Sequence, residues 1–141
     1  MEINYKKNSV AILAINDEYY CSLPDANCIQ IPNKPSTPWS DYSTFHPNHP
    51  YLFKFKGSYS FNYEEKDTIR YRIDWGDGSG NQTTSFSEQN TTLQVSHRYT
   101  SVGYFSIKVT TQLYSEFGDD GWSSWSNYYT IYVWGPLGPE E

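Results

Sequence analysis

The stretch Ile69-Arg-Tyr-Arg-Ile-Asp-Trp-Gly-Asp-Gly-Ser79 decides the fold of this chain. Its apolar positions are Ile69, Tyr71, Ile73 and Trp75. They alternate with polar side chains, and successive side chains of a β-strand point to opposite faces, so the alternation predicts a half-buried strand. Asp77 and Gly78 tolerate the backbone geometry of a tight turn, which predicts that the strand ends there.

The same period-two pattern recurs on both sides of this strand. Upstream it covers Tyr51, Phe53 and Phe55, and then Tyr59, Phe61 and Tyr63. Downstream it predicts strands over 93–97, 104–113 and 128–134, with the apolar faces Phe105, Ile107, Val109 and Tyr129, Ile131, Val133. Short strands separated by Gly, Asn and Asp turns are typical of an antiparallel β-sandwich. Helical periodicity is lacking, so the chain is predicted to be all-β.

Composition limits the possible functions. The 141 residues suit one domain with tails, and 14 Tyr, 7 Phe and 5 Trp favour strands. A net charge of -6 provides no basic patch for phosphates, which predicts no nucleic-acid partner. The longest apolar run, 10–15, is too short for a transmembrane helix, which predicts no membrane span.

Four regions are predicted along the chain. They are an N-terminal strand and Cys loop over 1–30, a Pro-rich connector over 31–50, a β-sandwich over 51–134 and a C-terminal tail over 135–141. The connector contains Pro32, Pro35, Pro38, Pro47 and Pro50. Proline lacks an amide donor and biases the preceding residue to extended geometry, so the connector is predicted to be irregular or an edge strand.

Three segments together resemble a known family. Ile73-Asp-Trp-Gly-Asp-Gly-Ser79, Val95-Ser-His-Arg-Tyr99 and the strand entry at Val102-Gly-Tyr-Phe105 follow the order and spacing of the PKD domain. Ile73, Val102 and Phe105 depart from the usual pattern, which indicates a divergent member. The resemblance covers about 50–134 and implies an immunoglobulin-like sandwich. It also implies an extracellular or cell-surface spacer, adhesion unit or docking accessory, rarely a catalyst. The apolar run over 9–15, outside the resemblance, predicts an N-terminal strand extension.

Gly121-Trp-Ser-Ser-Trp-Ser126 is similar to the Trp-Ser-x-Trp-Ser box of cytokine-receptor fibronectin domains. Such a box stacks its Trp rings on Arg side chains of a neighbouring strand, and the strand over 104–113 offers only Lys108. The similarity is therefore interpreted as convergence.

Catalysis is not predicted. His46 and His49 lie in the connector, His97 matches a structural position of the family, and catalytic motifs are lacking. No cofactor is expected, apart from calcium at Glu116, Asp119 and Asp120, whose alternative is a solvated loop tip.

Covalent modification is predicted at two pairs of residues. Cys21 and Cys28 suit a disulfide in an oxidising compartment, with two reduced, buried thiols as the alternative. Asn81 and Asn90 begin formal N-glycosylation sequons, which are consistent with a secreted surface.

Two segments are candidate contact surfaces. The N-terminal strand with Val10, Ala11, Ile12, Leu13, Ala14 and Ile15 is either part of its own sandwich or donated to a neighbouring subunit. The rings of Trp122, Trp125 and Tyr128 either stack on glycans or pack within the domain.

These patterns predict a non-enzymatic, extracellular or cell-surface structural or adhesive module. Its expected partners are other protein subunits, including copies of itself assembled into a filament or layer by β-strand addition. The alternative is a glycan-binding accessory module of a secreted or surface protein.

Overall fold

The computed structural model describes residues 12–15, 18–21, 31–59, 68–114 and 121–135, the first two ranges by their backbone only. The strands are β1 (Ile12–Ile15), β2 (Glu18–Cys21), β3 (Pro50–Phe55), β4 (Thr68–Asp74), β5 (Asn81–Thr83), β6 (Ser87–Glu88), β7 (Leu93–Arg98), β8 (Gly103–Leu113) and β9 (Tyr129–Val133). The described ranges contain strands and no helix, which confirms the all-β prediction.

The strands of the body form two antiparallel sheets. One sheet pairs β3 with β7. The other has the order β5-β4-β8-β9, with β6 also pairing with β4. The sheets face each other through apolar side chains, which makes the body a β-sandwich as the sequence predicted.

The core lies between the two sheets and is rich in aromatic rings. The alternating residues of β4 are fully buried, as are Phe53 and Phe55 of β3. The Phe53 ring meets the Trp75 ring edge-on at 5.4 Å between centroids, so the two sheets contact through aromatic pairs. Phe105 and Tyr129 are only partly buried and pack against this core. The predicted apolar faces are therefore confirmed, while Phe61 and Tyr63 lie outside the described residues.

The Pro-rich segment runs along the side of the sandwich. The amides of Ser36 and Trp39 donate to Lys56 and Lys54, so this part of the segment lies beside the outer edge of β3. Phe45 then reaches β9, where its carbonyl accepts from the Trp134 amide at 2.8 Å, and its ring is buried in the core. The segment is irregular apart from isolated bridges at Trp39 and Phe45, and it contributes to the sandwich itself.

The N-terminal strand is found over Ile12–Ile15, where it pairs with β2 as an antiparallel two-stranded sheet. Among the described residues, no strand of the two sandwich sheets joins this ladder, and both hypotheses for the N-terminal strand stay predictions. Val10, Ala11 and Cys28 lie outside the described residues, and β2, β5 and β6 were missed because they are too short to show a pattern.

Candidate functional site

The predicted turn after β4 forms, with β7, a tightly bonded structure that we call the motif corner (residues 74–79, 97 and 99). The Asp74 carboxylate accepts the Gly76 amide at 2.9 Å, and Asp77 Oδ1 accepts the Ser79 amide at 3.0 Å. Gly76 has a φ of +78°, and a Cβ there would collide with the Ser106 carbonyl. The two Asp side chains therefore stabilise the turn, and Gly76 allows the turn to approach β8. All three residues have structural roles.

Three rings of the motif corner contact one another, with His97 stacked on Trp75 and edge-on to Tyr99. The His97 imidazole lies parallel to the Trp75 ring, with 4.1 Å between centroids and 4° between planes. Trp75 Nε1 donates to Gln82 at 2.9 Å, and the Tyr99 hydroxyl donates to the Trp75 carbonyl at 2.7 Å. The polar atoms of these rings are therefore used within the fold.

Asp77 of the motif corner also contacts the His97 ring. His97 Nε2 lies 2.8 Å from Asp77 Oδ2. Burial alone would raise the pKa of Asp77, but the hydrogen bonds from Ser79 and His97 outweigh burial and lower this pKa. Burial raises the pKa of Tyr99 far above its usual value, and the nearby carboxylates of Asp77 and Asp74 add to the rise. Both shifts favour the ordinary charge states of these two side chains, an ionised Asp77 and a neutral Tyr99.

The outer face of the large sheet carries a row of cations and rings, which we call the cation ladder (Phe86, Arg70, Trp122, Arg72, Lys108 and Trp125). The Arg72 guanidinium lies 4.0 Å from the centroid of the Trp122 ring, and the Arg70 guanidinium lies 5.4 Å from it. Lys108 covers Trp125 at 4.6 Å. The sequence-based premise that the box lacks Arg partners is therefore wrong, because β4 supplies them from beside β8.

Two serines hold the Trp-containing segment onto β8. The Ser123 and Ser126 amides donate to the carbonyls of Thr111 and Val109, each at 2.8 Å. Their hydroxyls accept the amides of the same two residues, each at 3.0 Å. Both serines are buried, so the segment continues the sheet through side-chain as well as backbone bonds. This anchoring presents Trp122 and Trp125 to the cations.

Beyond the cation ladder, the outer face of β8 and β9 carries two exposed rings and a half-buried one between them, which we call the aromatic patch (Tyr104, Trp134 and Tyr132). Tyr104 is 76% exposed and Trp134 is 54% exposed. Tyr132 lies between them, with ring centroids at 4.7 Å from Tyr104 and 4.8 Å from Trp134. Below this patch, Ser106 and Thr130 share a hydrogen bond of 2.7 Å. The patch is an apolar surface beside polar hydroxyls, a composition suited to binding.

The predicted glycosylation and glycan-stacking residues lie within the described part of the chain, whereas the predicted calcium ligands lie outside it. Asn81 and Asn90 are exposed, the former on β5 and the latter with a φ of +61°. Tyr128 is 59% exposed with Lys108 at 5.4 Å from its ring centroid, whereas Trp122 and Trp125 are half-buried. Glu116, Asp119 and Asp120 lie outside the described residues, as does the disulfide partner Cys28.

Neither a metal cluster nor a membrane helix emerges from the described part of the chain. Within it, His, Cys, Asp and Glu side chains do not gather in groups of three or more that could hold an ion. A helix with the length and apolar character required to cross a bilayer is likewise not found in these ranges.

Comparison with known proteins finds similarity only at the level of solved structures. No family model matches the chain, and no curated protein matches it. Among solved structures, the chain is similar to the PKD domain of an M14-like peptidase from Thermoplasmatales archaeon SCGC AB-540-F20. The two share 22% sequence identity, with 75% of this chain and 96% of that chain covered and a TM-score of 0.49. The likeness is to the family that the corner motif resembles.

Proposed function

We propose that this chain is a non-enzymatic structural module that works through protein contacts, and that copies of the same chain are among its partners. The aromatic patch is the observation that carries the proposal. Tyr104 and Trp134 are exposed and Tyr132 is half-buried between them, whereas cations cover the Trp122 and Trp125 rings on the same outer face. Exposed aromatic clusters of this kind are enriched at protein interfaces, where each ring buries a large area at low entropic cost.

The polar groups of the motif corner support a non-catalytic role. The Asp74 and Asp77 carboxylates accept backbone amides of their own turn, and the His97 ring is stacked on Trp75 and bonded to Asp77. A general base requires a side chain within reach of a substrate proton, and these groups are engaged in holding the turn.

An extracellular or cell-surface location is part of the proposal. Asn81 and Asn90 lie on exposed positions of the described surface, where an oligosaccharide can be attached without disturbing the core. The predicted disulfide between Cys21 and Cys28 belongs to the same compartment. Mass spectrometry of the secreted chain tests both modifications.

Assembly by β-strand addition is the form of self-contact that we propose. The N-terminal strand is a candidate donor, since Ile12–Ile15 pairs only with β2 among the described strands. The large sheet also ends at β9, which has a neighbour on one side along most of its length. Open strand edges present amides and carbonyls in a row, and these groups readily pair with another chain.

Light scattering of the full chain over a dilution series tests the proposal. We expect a mass above 16.4 kDa for the wild type and a lower mass for Tyr104→Ser and Trp134→Ser. Leu52→Ser is the matched control, because Leu52 is an exposed apolar residue on the other sheet and should leave the mass unchanged. A mass of 16.4 kDa at every concentration contradicts self-association.

Glycan binding is the second candidate function, and it is favoured by the exposed ring of Tyr128 and by hydroxyls next to the aromatic patch. Flat rings stack on the apolar faces of sugars. Affinity electrophoresis in gels containing soluble polysaccharides tests it. Retardation that is lost in Tyr128→Ala or Trp134→Ala, in a protein with the mass of a monomer, would support this candidate over protein contacts.

A further inference from the structure

The small sheet ends at β7, whose outer edge over residues 93–98 we call the β7 edge. Lys54 of β3 exchanges both of its backbone hydrogen bonds with Trp39, on the side away from β7. Gln94 lies opposite Lys54 in the ladder, and in such a pair the backbone groups of both residues point away from each other. The amides and carbonyls of Gln94, Ser96 and Arg98 therefore face outward. Among the described residues, no backbone group bonds to them there.

A notch lies beside the β7 edge, because the large sheet extends further on this side than the small sheet. β7 lies over β4, as the stacking of His97 on Trp75 shows. β5 continues the large sheet beyond β4. Gln82 of β5 pairs with the buried Ile73 and shares its inner face, yet Gln82 is exposed. The described part of the small sheet therefore leaves the inner face of β5 uncovered.

The notch has room for a lone strand or a hairpin. Leu93 and Val95 point from β7 toward the core and are only partly buried. A strand added at the β7 edge would place every second side chain beside them and would cover Gln82. Pairing of two β7 edges would instead bring β4 of one copy onto β5 of the other, because β4 lies beneath β7 in each copy.

The N-terminal hairpin contains a strand that suits the notch. Ile12–Ile15 is apolar at every position, and among the described strands it pairs with β2 alone. Its other edge therefore has no partner strand within the described part of its own chain.

We infer that the N-terminal strand of one copy pairs with the β7 edge of a second copy and fills the notch. This inference rests on the proposed function and names the acceptor of the donated strand. Donor and acceptor are different surfaces, so the contact is heterologous and repeats head to tail into an open chain of subunits.

Proline variants of the full chain test the pairing. In the monomer β7 is an edge strand, where proline is tolerated if the amide that it replaces faces solvent. In the assembly β7 and β1 both become central strands, in which proline removes a ladder hydrogen bond. Ser96→Pro and Ala14→Pro are each expected to weaken self-association about tenfold or more. Ser96→Thr and Ala14→Val are the matched controls, because they retain the amide and suit a strand, and they should associate as the wild type does.

Mixing the two proline variants tests the head-to-tail arrangement. Ser96→Pro can still donate its N-terminal strand, and Ala14→Pro can still accept one. An equimolar mixture should therefore give particles with twice the mass of one chain and none larger, measured by light scattering at equal total concentration. Ala14 lies outside the two sandwich sheets, so Ala14→Pro decides the question even where Ser96→Pro lowers stability.

The outcomes separate this inference from the proposed function. A wild type that associates while Ala14→Pro and Ser96→Pro associate equally well overturns the β7 pairing and leaves the proposed function standing. A wild type with the mass of a monomer at every concentration overturns both. Variants that unfold cooperatively in denaturant but stay monomeric after mixing also contradict the pairing.

Discussion

The motif corner and the aromatic patch both contain aromatic side chains, but these side chains differ in burial and in hydrogen bonding. In the corner, Trp75 is buried, stacked on His97 and bonded through its ring nitrogen. In the patch, Tyr104 and Trp134 are largely exposed. The corner has a strong sequence signature because a tight turn, a close approach and a ring stack each require particular residues. The patch has no signature, because exposed rings on a strand are constrained only by what they bind. The strongest motif therefore marks the fold, and the contact surface that we propose lies elsewhere.

The largest expected effect comes from breaking the motif corner at Gly76. Gly76→Ala adds a Cβ that collides with the Ser106 carbonyl at a φ of +78°, and we expect it to lower the free energy of unfolding by about 3 kcal/mol. Gly78→Ala is the control, since it has a φ of +80° with open space around the Cβ, and it should cost about 1 kcal/mol. Chemical denaturation measures both. Equal losses would show that close approach to β8 is unimportant.

The next effect concerns the serines beneath the cation ladder. Ser123→Val leaves the buried Thr111 amide without its side-chain acceptor and should lower the free energy of unfolding by about 2 kcal/mol. Ser124→Ala, at an exposed neighbouring position, should have almost no effect in the same denaturation experiment. If the two variants lose the same stability, the hydroxyl of Ser123 does not hold the segment to β8.

A smaller effect is expected from the charge of Asp77, and it depends on pH. The folded state lowers the pKa of Asp77 below its usual 3.8, so the ionised carboxylate stabilises the fold above that pH. This contribution is lost as the pH falls through the lowered pKa. Asp77→Asn should therefore cost about 1 kcal/mol at pH 7. Urea titrations at pH 7 and at successively lower pH should show the difference narrowing below about pH 4. A difference that is constant with pH argues against a role for the charge.

The smallest effect on stability is expected in the aromatic patch. Tyr104→Ser should change the free energy of unfolding by less than about 0.5 kcal/mol, because its ring is 76% exposed. The same variant should nevertheless reduce self-association, which separates the patch from the corner in one protein. A large loss of stability would place Tyr104 among the structural rings instead.

The sequence predicts the inner faces of the sheets well, because burial on one side of a strand imposes a period of two. Ile69, Ile73 and Val109 were predicted on this basis and are fully buried. The short strands β5 and β6 have no such pattern. They form because Arg72 and Ile69 of β4 offer backbone partners to Thr83 and Ser87. Pairing between residues far apart in the chain produces no local sequence pattern from which these short strands could be predicted.

The outer face was predicted only in part, for a similar reason. The Arg partners of Trp122 were missed because they lie on β4, far along the chain, and become neighbours through the pairing of β4 with β8. Tyr104 and Tyr132 likewise meet through the register of β8 and β9. The sequence does place these residues at outward positions of predicted strands. Predicting which of them are neighbours would also have required the order of the strands in the sheet.

Light scattering of the wild type beside Tyr104→Ser tests the central claim most directly. We predict a mass above 16.4 kDa for the wild type and a lower mass for the variant at the same concentration. A wild type with a mass of 16.4 kDa at every concentration, or a Tyr104→Ser variant that associates as strongly as the wild type, would contradict the account.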